Sequence, residues 1–121
     1  MPDSILTSIK KLFGPDGTYT AFDADLIIHI NTYLRVLNQL GIGVQNFRIT
    51  DDTATWSDFL GDNEALLDEV KTYIYLRVKT VFDPPSSSIV MNAITEQINE
   101  LGWRLRISAE HETVQQEGDN T

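Results

Sequence analysis

The residues of this chain that could do acid–base or metal chemistry are few. The candidates are two histidines, His29 and His111, and one cluster among the acids, Asp51, Asp52, Asp58, Asp62 and Glu64. His29 falls mid-helix beside an apolar stripe, where a histidine is ordinarily structural. His111 lies in an acidic C-terminal stretch, with no partner placed to make it an acid or a base. The two histidines are too few and too far apart for a zinc site. The acids raise the question of calcium, yet the alternating ligand order and internal glycine of an EF-hand loop are missing. They read instead as turn and cap residues. Gly41-Ile42-Gly43 lacks the third glycine of a dinucleotide loop, and no Walker sequence occurs. The chain has no cysteine, which removes disulfides, thiolate metal sites and cysteine nucleophiles. No nucleophile, base and orienting group come together, so the expectation is a protein that is not an enzyme, with no cofactor and no metal.

The elements that would carry these residues are helical. A first helix is expected from Ser4 to Phe13, capped by Asp3 or Ser4, with Ile5, Leu6, Ile9, Leu12 and Phe13 as its stripe. Gly14-Pro15-Asp16-Gly17 ends it in a turn. A second runs from Ala24 to Leu40, capped by Asp23 and stopped by Gly41; Leu26, Ile27, Ile30, Tyr33, Leu34, Leu37 and Leu40 share one face. Asp23 and Asp25 at its start suit the helix dipole. A third spans Asn63 to Phe82, with Leu66, Leu67, Val70, Tyr73, Ile74, Val78 and Val81 as its stripe. Tyr75 and Leu76 lie outside that stripe, which makes this the central helix. Asp83-Pro84-Pro85 terminates it. The fourth spans Ser87 to Ala109, with Ser86, Ser87 and Ser88 offering caps and Val90, Ile94, Ile98, Leu101 and Leu105 facing the core.

Between the second and third helices the period changes. Phe47-Arg48-Ile49-Thr50 and Thr53-Ala54-Thr55-Trp56 are β-prone and flank Asp51-Asp52, which predicts a small hairpin. The expected fold is therefore mainly α: a compact bundle of about four helices with a small β-hairpin between helices two and three. Residues 1–109 form the single domain, and 110–121 an acidic tail expected to lack order in the free protein. No internal repeat or low-complexity segment is visible.

Two side chains fit poorly on their helices. Arg77 falls within about 20° of Val70 on a helical wheel, in the middle of a core stripe. A guanidinium there needs a partner: an intramolecular carboxylate such as Asp58 or Asp83, a route to the edge, or a residue of another subunit. Trp103 lies about 140° from Ile98, among polar positions, with Ile107 one turn later. Either the hairpin covers this patch or another subunit does; tryptophan is enriched at interface hot spots. Trp56, Phe59 and Leu60 pose the same question around the hairpin. The expected protein-interface residues are thus Trp56, Phe59, Leu60, Arg77, Trp103 and Ile107.

The length of 121 residues suits one domain. No apolar run approaches the roughly 20 residues that span a bilayer. The basic-then-apolar order of a secretory signal is also missing, so the chain is expected in the cytoplasm, away from membranes. Its net charge is −9, with 18 acidic against 9 basic residues. Such a surface repels a phosphate backbone, which speaks against gripping DNA but suits a wall past which DNA slides.

Four stretches carry a family resemblance: Asp25-Leu26-Ile27-Ile28-His29-Ile30-Asn31; Leu37-Asn38-Gln39-Leu40-Gly41; Ala54-Thr55-Trp56-Ser57-Asp58-Phe59-Leu60-Gly61-Asp62; and Val70-Lys71-Thr72-Tyr73-Ile74-Tyr75-Leu76 through Phe82-Asp83-Pro84-Pro85. Over residues 3–109 the chain resembles the small head–tail connector (neck adaptor) proteins of siphophages and prophages. The resemblance implies a structural virion protein that forms a ring below the portal. That ring extends the DNA channel and docks the next neck or tail component, DNA passing through without specific binding. The implied partners are further copies of the chain, the portal protein and the next neck or tail protein; the subunit could be monomeric before assembly. The implied location is the host cytoplasm during assembly and then the virion neck. A rival reading from the charge alone is an acidic DNA mimic that inhibits a host DNA-binding protein, although no row of carboxylates at phosphate-like spacing is found.

Overall fold

The structure, a computed structural model, describes residues 4–13, 22–61 and 63–119, and of Glu64 and residues 111–119 the backbone alone. It is mainly helical: α1 (Ile5–Phe13), α2 (Asp23–Gln39), a short α3 (Trp56–Leu60), a 3-10 turn (Glu64–Leu66), α4 (Leu67–Phe82) and α5 (Ser88–Asp119). Side chains cap α1 and α5, but not α2 or α4: the expected cap Asp23 is itself the first residue of α2, where its carboxylate is taken by Lys10 instead of the helix amides. Ser4 Oγ accepts from the Thr7 amide at the head of α1, and Ser87 Oγ from the Val90 amide at the head of α5. α2 ends in a Schellman motif: Gly41 takes φ 95°, its N–H donates to Asn38, and the Ile42 N–H reaches back to Leu37.

α4 lies centrally, touching α1, α2 and α5, as apolar residues on more than one of its sides demand. Val70, Tyr73, Ile74, Leu76 and Val78 are buried on it. They meet Ile5, Leu6 and Ile9 of α1, Leu26, Ile30, Leu34 and Leu37 of α2, and Ile94, Ile98 and Leu105 of α5 in one core. Phe13 and Phe22 stack their edges on Phe82, and Phe13 also meets Tyr75, at centroid distances of 5.1 to 5.6 Å. A Lys10–Asp23 ion pair at 2.9 Å ties α1 to α2. Three residues expected in the stripes, Leu12, Val81 and Val90, are instead about half exposed. Each sits within three residues of a helix end.

The expected hairpin is absent: no strand occurs among the described residues, and 47–55 is irregular. Its backbone groups have other partners. The Asn31 side-chain amide donates to the Ile49 carbonyl and its oxygen accepts from the Ile49 amide, so α2 takes the place of a pairing strand. Asp51 Oδ1 accepts from both the amide and the hydroxyl of Thr53, closing a local turn. Ala54 and Thr55 pair with the chain just before α1, where the Ile5 amide donates to Ala54 and Ser4 bridges Thr55. Thr55 then opens α3 with a capping box: its hydroxyl accepts from the Asp58 amide while Asp58 Oδ2 accepts from the Thr55 amide. β-propensity was outweighed by side-chain hydrogen bonds that serve the same backbone groups.

The last helix is longer than expected. It continues past Ala109 to Asp119, since no proline interrupts the stretch and its glutamates and glutamines are good helix formers. Residues 120–121, the Gly14–Gly17 turn, the Asp3 cap and Asp62 lie outside the described residues.

Candidate functional site

The polar residues flagged for chemistry are engaged locally. Asp51 is exposed, and its carboxyl is held below the usual carboxylate range, first by the Thr53 hydroxyl and then by the Thr53 amide. Asp58 is committed to the capping box. Among the described residues no three His, Cys, Asp or Glu side chains stand where they could hold a metal ion. His29 is half-buried on α2, and the side chain of His111 lies outside the described residues. No helix of the described residues is long and apolar enough to cross a membrane.

Of the expected interface residues, Trp56 and Phe59 belong to the chain's own core, 3% and 1% exposed. The capping box sets them three apart on one short helix, so both rings turn inward. Trp56 Nε1 donates to Ser8 of α1 at 3.1 Å, and Phe59 packs on Phe47 at 5.2 Å. Phe59 also lies so close to Gly43 that a Cβ there would come within 2.2 Å of the ring. Leu60 is half-buried beside them. These rings are satisfied inside the protomer, and a contact surface built on them would have to open the core.

Arg77 is held in a way that sequence did not suggest. Among the described residues no carboxylate pairs with it: Asp58 caps α3, and Asp83 pairs with Lys79 at 3.7 Å. The guanidinium lies over the rings of Tyr33 and Tyr73, at 5.5 and 5.4 Å from their centroids, and its Nε donates to the Tyr73 hydroxyl at 3.2 Å. Two aromatic faces thus take the place of an ion pair, as suits a weakly hydrated planar cation. The residue is half-buried.

Trp103 and Ile107 are the expected residues that the protomer leaves open. Trp103 is 64% exposed, and Ile107 stands beside it one turn on. Both lie on the face of α5 opposite Ile98 and Leu105. The hairpin expected to cover them does not form among the described residues. On the same helix Arg104 pairs with Glu100 at 2.9 Å and Arg106 with Glu110 at 3.4 Å, flanking the patch with exposed ion pairs.

Sequence reasoning also missed a groove. It has a volume of about 550 Å³ and lies between α2 and the segment that follows it, floored by Ile27, Ile28 and Phe47 and edged by Arg35 and Arg48. The two arginines sit on different segments, which the side chains of Asn31 and Asn38 tie together through Ile49, Val44 and Asn46.

A family model described as "Phage connector protein" matches residues 5–112. No curated protein and no solved structure matches the chain. The family match runs from the first residue of α1 through the buried length of α5, taking in the Arg77 cage and the open Trp103–Ile107 patch, and the chain therefore belongs to the phage connector protein family.

Proposed function

We propose that the chain is one subunit of a closed ring that sits below the portal, extends the DNA channel and docks the next neck or tail component. The family supports a structural role at the joint of phage head and tail, not an enzymatic one, and a place in the virion neck. Ring closure, the portal as a partner and assembly from the host cytoplasm are the finer steps of this reading.

The observation that carries it is the open tryptophan. A side chain of that size left 64% exposed on a folded helix implies a partner that covers it. In the ring, Trp103 and Ile107 form the apolar centre of a subunit contact, with Arg77 and Leu60 at its margin. Residues 1–109 are the ring-forming domain, and 110–121 an acidic tail that takes its final place on docking. The net charge of −9 lets the channel wall pass DNA without holding it.

Phage particles made without this protein test the reading. Heads and tails that assemble separately and fail to join are expected. Normally joined particles would overturn it.

A further inference from the structure

The α2 groove stands out against the charge of the chain. The protein carries twice as many acids as bases, yet the residues lining this groove include no acid and two arginines. Arg35 and Arg48 are exposed, and among the described residues neither has an ion-pair partner. The floor is apolar: Ile28 is 62% exposed there, as open as Trp103. Ile28, Thr32 and Arg35 follow one another at helical spacing along α2, forming an apolar-to-basic stripe. The amides of Asn31 and Asn38 are already committed to backbone groups of the adjoining segment, so the groove wall is fixed in shape.

The complementary pattern occurs at the other end of the same chain. Along α5, Trp103 and Ile107 are followed by Glu110, Glu112, Glu117 and Asp119, with no lysine or arginine after Arg106. An apolar patch leading into an acidic stretch matches an apolar floor leading into two exposed arginines.

We propose that the groove formed by Ile27, Ile28, Thr32, Arg35, Phe47 and Arg48 receives the C-terminal part of α5 from a second copy of the chain. Ile107 and Trp103 cover the apolar floor, and the acidic sequence that follows them supplies the charge complementary to Arg35 and Arg48. The inference rests on the ring reading above. A contact between two unlike surfaces of one protein leaves one of each free at the ends of a pair, so it propagates, as a ring requires.

The absence of cysteine allows a direct test on the full chain. A nitroxide is attached through Thr121→Cys on an unlabelled copy, which is mixed with an isotopically labelled copy. Paramagnetic broadening then reports even brief visits of one copy's C-terminus to the other's groove. Broadening of the Ile28, Thr32 and Arg48 amides is expected. It should disappear in the Arg35→Glu, Arg48→Glu variant and return when Glu112, Glu117 and Asp119 of the spin-labelled copy are changed to lysine. Absence of broadening, broadening indifferent to these reversals, or broadening only when label and isotope share one chain would overturn the proposal. Groove amides that respond to a DNA duplex but not to the second copy would overturn it too. A chain that joins heads to tails with its groove contact disproved would sink this contact and leave the ring reading standing. A chain with no part in head–tail joining would sink the ring reading itself.

Discussion

Replacing Trp103 with alanine separates assembly from folding. The indole is 64% exposed in the protomer, and a tryptophan offers 150–250 Å² in all, so roughly 100–160 Å² remains for a partner to cover. At about 25 cal/mol per Å² that area corresponds to about 2.5–4 kcal/mol per subunit contact. Part of this is offset by ordering the side chains at the interface, which leaves about 2 kcal/mol, or roughly 30-fold in association. The isolated chain should hardly notice. Alanine restores about 0.5 kcal/mol of helix propensity, and little packing is lost, so stability should stay within about 0.5 kcal/mol of the parent. Chemical unfolding followed by circular dichroism gives the first quantity, and sedimentation of the chain with its portal gives the second. A loss of more than about 2 kcal/mol in the isolated chain would mean that Trp103 is core after all. Unchanged assembly would mean that no partner covers it. Either result refutes the reasoning.

Other substitutions test how the fold holds its parts in place. Gly43→Ala puts a Cβ against the Phe59 ring at a residue with φ 80°; a loss of about 3 kcal/mol is expected, seen as a lower unfolding midpoint and partly relieved by Phe59→Leu. Asn38 donates to the carbonyls of Ile42 and Val44 and accepts from the Asn46 amide while 6% exposed. Asn38→Ala strands these groups and should cost about 2–4 kcal/mol in a urea titration. Asp51 has its folded pKa lowered below 3.8 by Thr53. Its contribution to stability is therefore present above that value and lost as pH falls through the lowered folded pKa. The parent's urea midpoint should exceed that of Asp51→Asn near neutrality, and the gap should narrow in acid; a gap that is constant with pH would contradict the assignment.

The helices were legible because their signals are local and repeated. The stripe from Leu26 to Leu40 with Asp23 before it and Gly41 after it defines α2 within a residue or two, and the two sides of α4 that carry Val70 and Leu76 announce its central place. The exposed Trp103 was legible for the same reason, from its angle on the wheel. The hairpin failed because residues 47–56 were weighed by β-propensity, while Thr55-Trp56-Ser57-Asp58 spells a capping box that starts a helix. That box, once noticed, turns Trp56 and Phe59 toward the core together. The Arg77 cage was half legible. Its place in the stripe demanded a partner, but nothing in sequence distinguishes two tyrosine faces from a carboxylate. The groove was not legible at all, since Arg35 and Arg48 come to one groove through the side-chain bonds of Asn31 and Asn38 to the segment after α2, which no local pattern announces.

The central claim is that copies of this chain assemble on a portal at the phage neck. The mass of the purified cognate portal ring, measured in solution before and after adding the chain, tests it most directly. The ring reading predicts one saturating increment equal to a whole number of 13.7 kDa subunits, greatly reduced for Trp103→Ala. A portal mass that does not change with the folded chain in excess would contradict it.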